Sequence, residues 1–201
     1  FTGSNATAVG SGAADAATSA TFLTAVGKGA LGACTEGLEN TALGADALAA
    51  VTTGDYNTAV GVTAGYSTTG LRNSFFGKDA GAYASSTDDC IAIGKGALSG
   101  TAIAAATGNQ NIAVGNYALD ATTDGAFNVA IGHEAGTAIT GAGGIVAIGY
   151  RAMATENASG GSVAIGFRAL EDQDGSSPNN VAVGYQAGLN LSSGTDSVYV
   201  G

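Results

Sequence analysis

One phrase recurs along the whole chain and constrains its fold more than any other feature. The segments NTAVGVTAG (57–65), NVAIGHEAG (128–136) and NVAVGYQAG (180–188) are near copies of one another. Aligned on the glycine that closes each apolar triplet, called here the repeat glycine, the phrase occurs twelve times. Successive repeat glycines lie 16 to 18 residues apart, except for one step of 21. They are Gly10, Gly27, Gly44, Gly61, Gly77, Gly94, Gly115, Gly132, Gly149, Gly166, Gly184 and Gly201. Such regularity predicts an array of stacked units, each in contact only with its neighbours.

Within a unit, the positions counted from the repeat glycine differ in chemistry. Position −1 is always Val, Ile, Leu or Phe, position −3 is Thr, Ser, Val or Ile, and position −2 is Ala except at Phe75 and Tyr199. This period of two predicts a short strand with one large-residue face and one small-residue face. Position +3 is Ala from Ala13 to Ala187, which predicts a second short element, and the recurrent Asn at −4 suits a corner.

The period also selects the fold class. Helix-pair repeats need about 33 to 47 residues, so a period near 17 is too short for them. We expect an all-β fold, a parallel β-roll or β-solenoid with two short strands and two turns per 17-residue rung. Residues 1–201 are interpreted as a single array of about twelve rungs, a segment of a longer fibre, with loop insertions near 99–110 and 171–180.

The composition indicates a thin interior. The chain has 34 Gly, no Trp, and only 7 Tyr and 6 Phe as its largest residues. Alanine can fill such an interior, but the row of Val and Ile needs burial too. One solution is that one strand face fills the roll while the other packs against sister chains around a threefold axis. The alternation itself leaves open which face does which.

Charge and cysteine content exclude several classes of function. A net charge of −10 with six basic residues argues against nucleic acid or anionic lipid as a partner. No run of eighteen apolar residues occurs, so no membrane insertion is expected in this segment. Cys34 and Cys90 fit no metal-binding spacing and fall about three rungs apart, which predicts two free thiols and no disulfide. No metal or other cofactor is expected.

A few side chains are candidate functional residues. Tyr150, Phe167 and Tyr185 all lie at +1 on consecutive rungs, and form either a strip that binds a glycan or, as we favour, a stack of like residues. The segment EDQDG (171–175) has calcium-like carboxylates but lacks a calcium-loop spacing, so an acidic loop is favoured. His133 is the only histidine, and no catalytic set is evident around it, so the chain is not expected to be an enzyme.

The charged residues follow the repeat. Lys28, Lys78 and Lys95 lie at +1, whereas most acidic residues lie in the polar turns. Two oppositely charged edges could meet between neighbouring chains and set their register. The alternative, which we favour because exposed ion pairs contribute only ~0–1 kcal/mol, is that these are solvated corners.

The phrases NTAVG, SVAIGFRAL and NVAVGYQAG resemble the head repeats of YadA-like trimeric autotransporter adhesins, and more closely the repeat arrays of bacteriophage tail fibres. The resemblance covers essentially Ala6 to Gly201, although adhesin heads have shorter repeats. It implies a left-handed, homotrimeric β-roll that serves as the shaft or head of an extracellular fibre on a virion or bacterial surface. Such a fibre would present a tip or loops to a host-cell receptor or glycan.

Three alternatives remain at this point. One is a bacterial adhesin head that binds a host matrix or surface. Another is an ice-binding or glycan-binding solenoid. Thr7, Thr24, Thr41 and Thr58 align at −3 as an ice-binding ladder would require, but the row then changes at Ser74. The third is a glycan-degrading fibre, which would need a carboxylate pair in a groove, and the sequence places none.

Overall fold

The computed structural model describes residues 5–100, 108–155, 160–173, 178–191 and 194–201. This part of the chain holds twelve three-residue strands, one directly before each repeat glycine. They are β1 (Thr7–Val9), β2 (Thr24–Val26), β3 (Thr41–Leu43), β4 (Thr58–Val60), β5 (Ser74–Phe76), β6 (Ile91–Ile93), β7 (Ile112–Val114), β8 (Val129–Ile131), β9 (Val146–Ile148), β10 (Val163–Ile165), β11 (Val181–Val183) and β12 (Val198–Val200). All twelve belong to one parallel sheet in chain order. The predicted all-β parallel β-solenoid with rungs of about 17 residues is confirmed.

Each strand pairs with the next in the register that the repeat predicts. Thr41 pairs with Thr58, and Ala42 pairs with Ala59. The register continues across the 21-residue step, where Ile91 pairs with Ile112. The extra residues of that step therefore leave the ladder undisturbed. Of the two predicted insertions, residues 101–107 and 174–177 lie outside the described residues.

The second strand that we expected in each rung is absent from the described residues. Backbone hydrogen bonds still join the rungs there, for example from Leu48 N to Ala64 O at 3.0 Å. However, the residues at +2 and +4 have positive φ, as in Asp46 (56°) and Leu48 (49°), and so does the residue at −5, as in Glu39 (52°). Left-handed residues at alternate positions cannot continue an extended strand. The prediction of two strands per rung was wrong for this reason.

The interior of the solenoid is built from alanine and leucine. The Ala at −2 and +3 are buried from rung 2 onwards, and the middle residue of β2 to β11 is fully buried. Phe75 replaces this alanine in β5 and needs more room than a methyl group. Gly65 and Gly81 provide it at +4, where five other rungs have Leu, because a Cβ on Gly81 would lie 2.5 Å from the Phe75 ring. The large and small residues of neighbouring rungs thus compensate one another.

A ladder of buried asparagines runs along the solenoid at position −4. Asn128 represents it: its Nδ2 donates to Ala142 O at 2.9 Å, and its Oδ1 accepts from Ile145 N at 3.0 Å. These are backbone groups of the following rung. The asparagines were predicted to form the corners, but the residue with positive φ is the one before each of them, such as Phe127 (61°). The asparagines instead satisfy buried backbone groups between rungs.

Candidate interaction surfaces

The outward surface of the sheet, called here the sheet face, carries a continuous row of apolar side chains. Because the alanine at −2 points inward, the side chains at −3 and −1 point away from the interior. Ile93 and Val183 are 42 % and 40 % exposed. The −1 row consists of Val9, Val26, Leu43, Val60, Phe76, Ile93, Val114, Ile131, Ile148, Ile165, Val183 and Val200. The alternation left this orientation open, and the structure places the small residues inside and the β-branched residues outside.

The sheet face changes character along the rod. Its −3 row is Thr from β1 to β4 and Ser74 in β5, and becomes Ile or Val from Ile91 onwards. Both halves point outward in the same register. The polar half therefore spans fewer than half of the strands, and the threonine ladder required of an ice-binding surface does not extend over the sheet.

An aromatic stack follows the edge of the sheet face at position +1. Ring centroids lie 5.7 Å apart between His133 and Tyr150, 5.1 Å between Tyr150 and Phe167, and 5.2 Å between Phe167 and Tyr185. The planes of the last two pairs differ by only 17° and 6°. The predicted stacking of these residues is therefore present. Because each inner ring covers its neighbours' faces, the stack offers mainly ring edges to solvent, which disfavours the glycan-binding strip.

Two exposed edges of different charge border the sheet face. The edge at +1 carries Lys28, Lys78 and Lys95, all exposed. The other edge, at −5, carries Glu39 and Asp89 among its exposed residues, together with Arg72 and Asp196. Arg72 donates to both oxygens of Asp89, at 2.6 and 2.9 Å. This pair raises the pKa of Arg72 and lowers the pKa of Asp89. The structure thus places these lysines and the acidic residues Glu39, Asp89 and Asp196 on opposite borders of one face.

The acidic segment at 171–175 begins with a buried ion-pair cluster. The Glu171 side chain is only 1 % exposed, and its Oε1 lies 2.9 Å from Arg151 Nε. Arg168 Nε contacts the other oxygen, and this hydrogen bond raises the pKa of Arg168. Both arginines come from position +2 of adjacent rungs. The Glu171 carboxylate is therefore used within the fold, while residues 174 and 175 lie outside the described residues.

The cysteines and the histidine occupy unrelated places. Cys34 and Cys90 are both free and buried, as predicted, and desolvation by burial raises the pKa of each thiol. Cys90 takes an asparagine position in the ladder, and its Sγ accepts from Asn111 N at 3.4 Å. His133 lies exposed in the aromatic stack, with Glu134 Oε1 3.7 Å from its Nδ1. Within the described ranges, no group of three His, Cys, Asp or Glu side chains is arranged to hold a metal ion.

Sequence reasoning missed one groove, which lies away from the sheet face. Thr63, Tyr66, Asp79, Ala82 and Tyr83 line it, and it encloses about 300 Å³. The signal that could have revealed it is local. The +5 and +6 positions of the rungs on either side are small: Ala49, Ala50, Ser99 and Gly100. Two tyrosines at these positions, flanked by rungs with small residues, indicate that large side chains project locally from the surface.

The described residues contain no helix that is long and apolar enough to cross a membrane. Comparison of the chain with protein-family models, with curated proteins and with solved structures found no match in any of the three. The repeat architecture and the surfaces described above are therefore the basis for inferring a function.

Proposed function

We propose that the chain is a structural and adhesive fibre segment, the shaft or head of a homotrimeric, tail-fibre-like appendage exposed on a virion or bacterial surface. The observation that carries this proposal is the outward sheet face. The apolar −1 row runs along all twelve strands, and the −3 row is also apolar from Ile91 onwards. No other element of the described residues covers these rows, and many of their side chains are exposed. Extended exposed apolar surface of this kind is typical of an interface.

The two edges of the sheet face support a cyclic arrangement of parallel chains. In such a ring, each interface joins two different edges of identical chains, so the +1 edge of one chain meets the −5 edge of the next. Lys28 and Lys95 then approach the edge that carries Glu39 and Asp89. The contribution of each pair is small, but the alternative pairing of two +1 edges would bring lysines together. The choice of three chains rests on the resemblance of the repeats to those of trimeric adhesin heads and tail fibres.

The mechanism of such a segment is mechanical. Each rung is joined to the next by backbone hydrogen bonds in the strand and in the turns, as from Thr58 N to Asn73 O at 2.8 Å. The buried asparagines add side-chain bonds in the same direction. These bonds, together with the closed alanine interior, make a stiff rod on the order of 50 Å long at ~4.8 Å per rung. A rod of this kind can project a receptor-binding tip or loops away from the surface that bears it.

Multi-angle light scattering of the native protein tests the assembly directly. We expect the mass of three chains for the wild type and the mass of one chain for the double variant Ile131→Lys, Ile165→Lys, which puts charges into the sheet face. Thr52→Lys with Thr53→Lys is the matched control, because it adds the same charge at two exposed turn residues. Circular dichroism establishes that both variants keep their β-structure. A monomeric wild type, or a face variant that remains trimeric, would contradict the proposal.

A further inference from the structure

The groove between Tyr66 and Tyr83 has the features of a small ligand site. It lies on adjacent rungs at positions +2, +5 and +6, and it uses no residue of the sheet face or of the aromatic stack. Its volume of about 300 Å³ is at the lower end of the range for small-molecule sites. The groove is therefore accessible on a single chain, and the proposed trimer contacts would not need its lining residues.

The two tyrosine rings are the apolar part of the site. Tyr66 is 41 % exposed and Tyr83 is 45 % exposed. Unlike Tyr150 and Phe167, whose faces cover one another, neither ring stacks on another aromatic ring among the described residues. Ala82 also lines the groove, although it is only 3 % exposed. An uncovered aromatic face beside a small residue can accept a flat apolar surface of a ligand.

The polar part of the site is the Asp79 carboxylate. The Thr63 hydroxyl donates to Oδ1 and the Lys78 ammonium donates to Oδ2, so both carboxylate oxygens are held in place. Partial burial acts to raise the pKa of Asp79, but the hydrogen bonds from Lys78 and Thr63 outweigh it and hold this pKa below its usual value. The carboxylate is thus ionised at neutral pH. Each of its oxygens can accept a further hydrogen bond from a ligand.

We propose that this groove binds a neutral saccharide. A pyranose ring has an apolar face of C–H groups, which suits the tyrosine rings, and a rim of hydroxyl donors, which suits the Asp79 carboxylate. An acidic sugar is disfavoured, because it would meet both this carboxylate and a chain of net charge −10. The site would give the proposed fibre a lateral contact with surface glycans, but it is formed by one chain and does not depend on trimerisation.

Saturation-transfer NMR of the native protein tests the proposal with defined probes. These are the neutral oligosaccharides maltotriose, cellotriose, mannotriose and lacto-N-tetraose, with 3′-sialyllactose and trigalacturonate as acidic counterparts. We expect transfer from tyrosine ring protons to at least one neutral probe and little transfer to the acidic ones. Titration with that probe should show at least a tenfold weaker affinity for Tyr66→Ala with Tyr83→Ala. Asp79→Asn should weaken it at least threefold.

Tyr56→Ala is the matched control, because Tyr56 is an exposed tyrosine at position −5, outside the groove. It should bind the probe as the wild type does. The proposal is overturned if no neutral probe binds at millimolar concentration, or if the Tyr66, Tyr83 double variant binds as tightly as the control. If the protein is a trimer that binds no saccharide, the proposed saccharide site is wrong and the proposed fibre still stands. If it is a monomer that binds a saccharide, the site stands and the trimeric fibre is wrong.

Discussion

The repeat glycine is fixed by two demands on the backbone. At Gly149, φ is 133°, a region that residues with a Cβ rarely adopt. A Cβ at this position would also lie 2.3 Å from the carbonyl oxygen of Gly166 in the next rung. The glycine therefore provides both the turn out of the strand and the close approach between rungs. This explains why every strand ends at the same residue type although the flanking residues vary.

Gly149→Ala should be far more destabilising than Gly144→Ala. Gly144 also has positive φ, 73°, but a Cβ there meets nothing closer than Gly161 N at 4.0 Å. The Gly144 variant should lose roughly 1–2 kcal/mol from left-handed strain alone. The Gly149 variant adds overpacking and should lose roughly 2 kcal/mol more. Thermal unfolding followed by circular dichroism measures the difference, and equal midpoints would show that contact with the next rung is unimportant.

The sequence predicted the strands but not which of their two faces points inward. The alternation at positions −3 to −1 predicted each strand correctly, because a period of two is intrinsic to extended backbone. It did not decide the inward face, since Ala92 would suit a thin interior as well as a close contact between chains. That choice depends on the direction in which the chain turns after the repeat glycine, which is a property of φ and not of hydrophobicity.

At the scale of the structural element, the asparagine ladder acts as a second line of bonds beside the sheet. Asn57 N donates to Asn40 Oδ1 at 2.9 Å, and Asn73 N donates to Asn57 Oδ1 at 3.0 Å. Other residues take the same position elsewhere: Ala6, Leu23, Cys90, Ile145, Ser162 and Ser197. The site accepts apolar and small polar side chains, so its shape alone does not demand asparagine. Its advantage is that one amide both donates to and accepts from backbone groups.

Substitutions of Asn128 should therefore follow a definite order of cost. Asn128→Ser should cost least, because the Ser162 hydroxyl already accepts from Asn180 N at 3.1 Å in the equivalent place. Asn128→Leu leaves Ile145 N and Ala142 O without their partners and should cost roughly 1–3 kcal/mol for each group. Asn128→Asp should be the worst at pH 7, because it buries a carboxylate that cannot donate to Ala142 O.

The aspartate variant also has a predicted pH dependence. Burial raises the pKa of the new carboxyl in the folded state above its ordinary value. The free energy of unfolding therefore falls as pH rises above about 3.9, the pKa of an aspartate in the unfolded chain. Unfolding midpoints of Asn128→Asp and Asn128→Leu, measured by circular dichroism from pH 4 to pH 7, should diverge as pH increases. If the two variants keep a constant difference, the site is not as dry as its burial indicates.

The same ladder shows why the turns were predicted less well than the strands. The recurrent asparagine was visible in the sequence. Because asparagine is common at corners, the corner was assigned to it and not to the residue before it. The left-handed residue is the preceding one, which can be Glu39, Tyr56 or Phe127. Such varied residues carry no turn signal, because the stacked rungs impose the conformation on them. The groove between Tyr66 and Tyr83 was not predicted, because side chains of two adjacent rungs form it together.

At the scale of the whole molecule, the dominant electrostatic feature is an excess of negative charge. The net charge is −10, with 16 acidic and six basic Lys and Arg side chains. Among the described residues, the Lys and Arg ion pairs occupy only four carboxylates, Asp79, Asp89, Glu134 and Glu171. Folding places the remaining acids along one narrow rod, closer together than in the unfolded chain. Repulsion between them opposes folding, and the opposition is greater still in an assembly of several chains.

Added salt should therefore raise the unfolding midpoint of the protein at pH 7. Salt weakens long-range repulsion between exposed carboxylates and also weakens exposed pairs such as Arg72–Asp89, but each such pair contributes only ~0–1 kcal/mol. The Arg151–Glu171 pair is less affected, because Glu171 is buried. Circular dichroism at about 20 mM and about 500 mM NaCl compares conditions in which the Debye length falls several-fold. The variant Asp15→Asn with Glu36→Gln removes two exposed charges, so it should unfold at a higher temperature at low salt and respond less to added salt. A midpoint that falls with salt in both proteins would mean that local ion pairs, and not the summed negative charge, dominate the electrostatics of the rod.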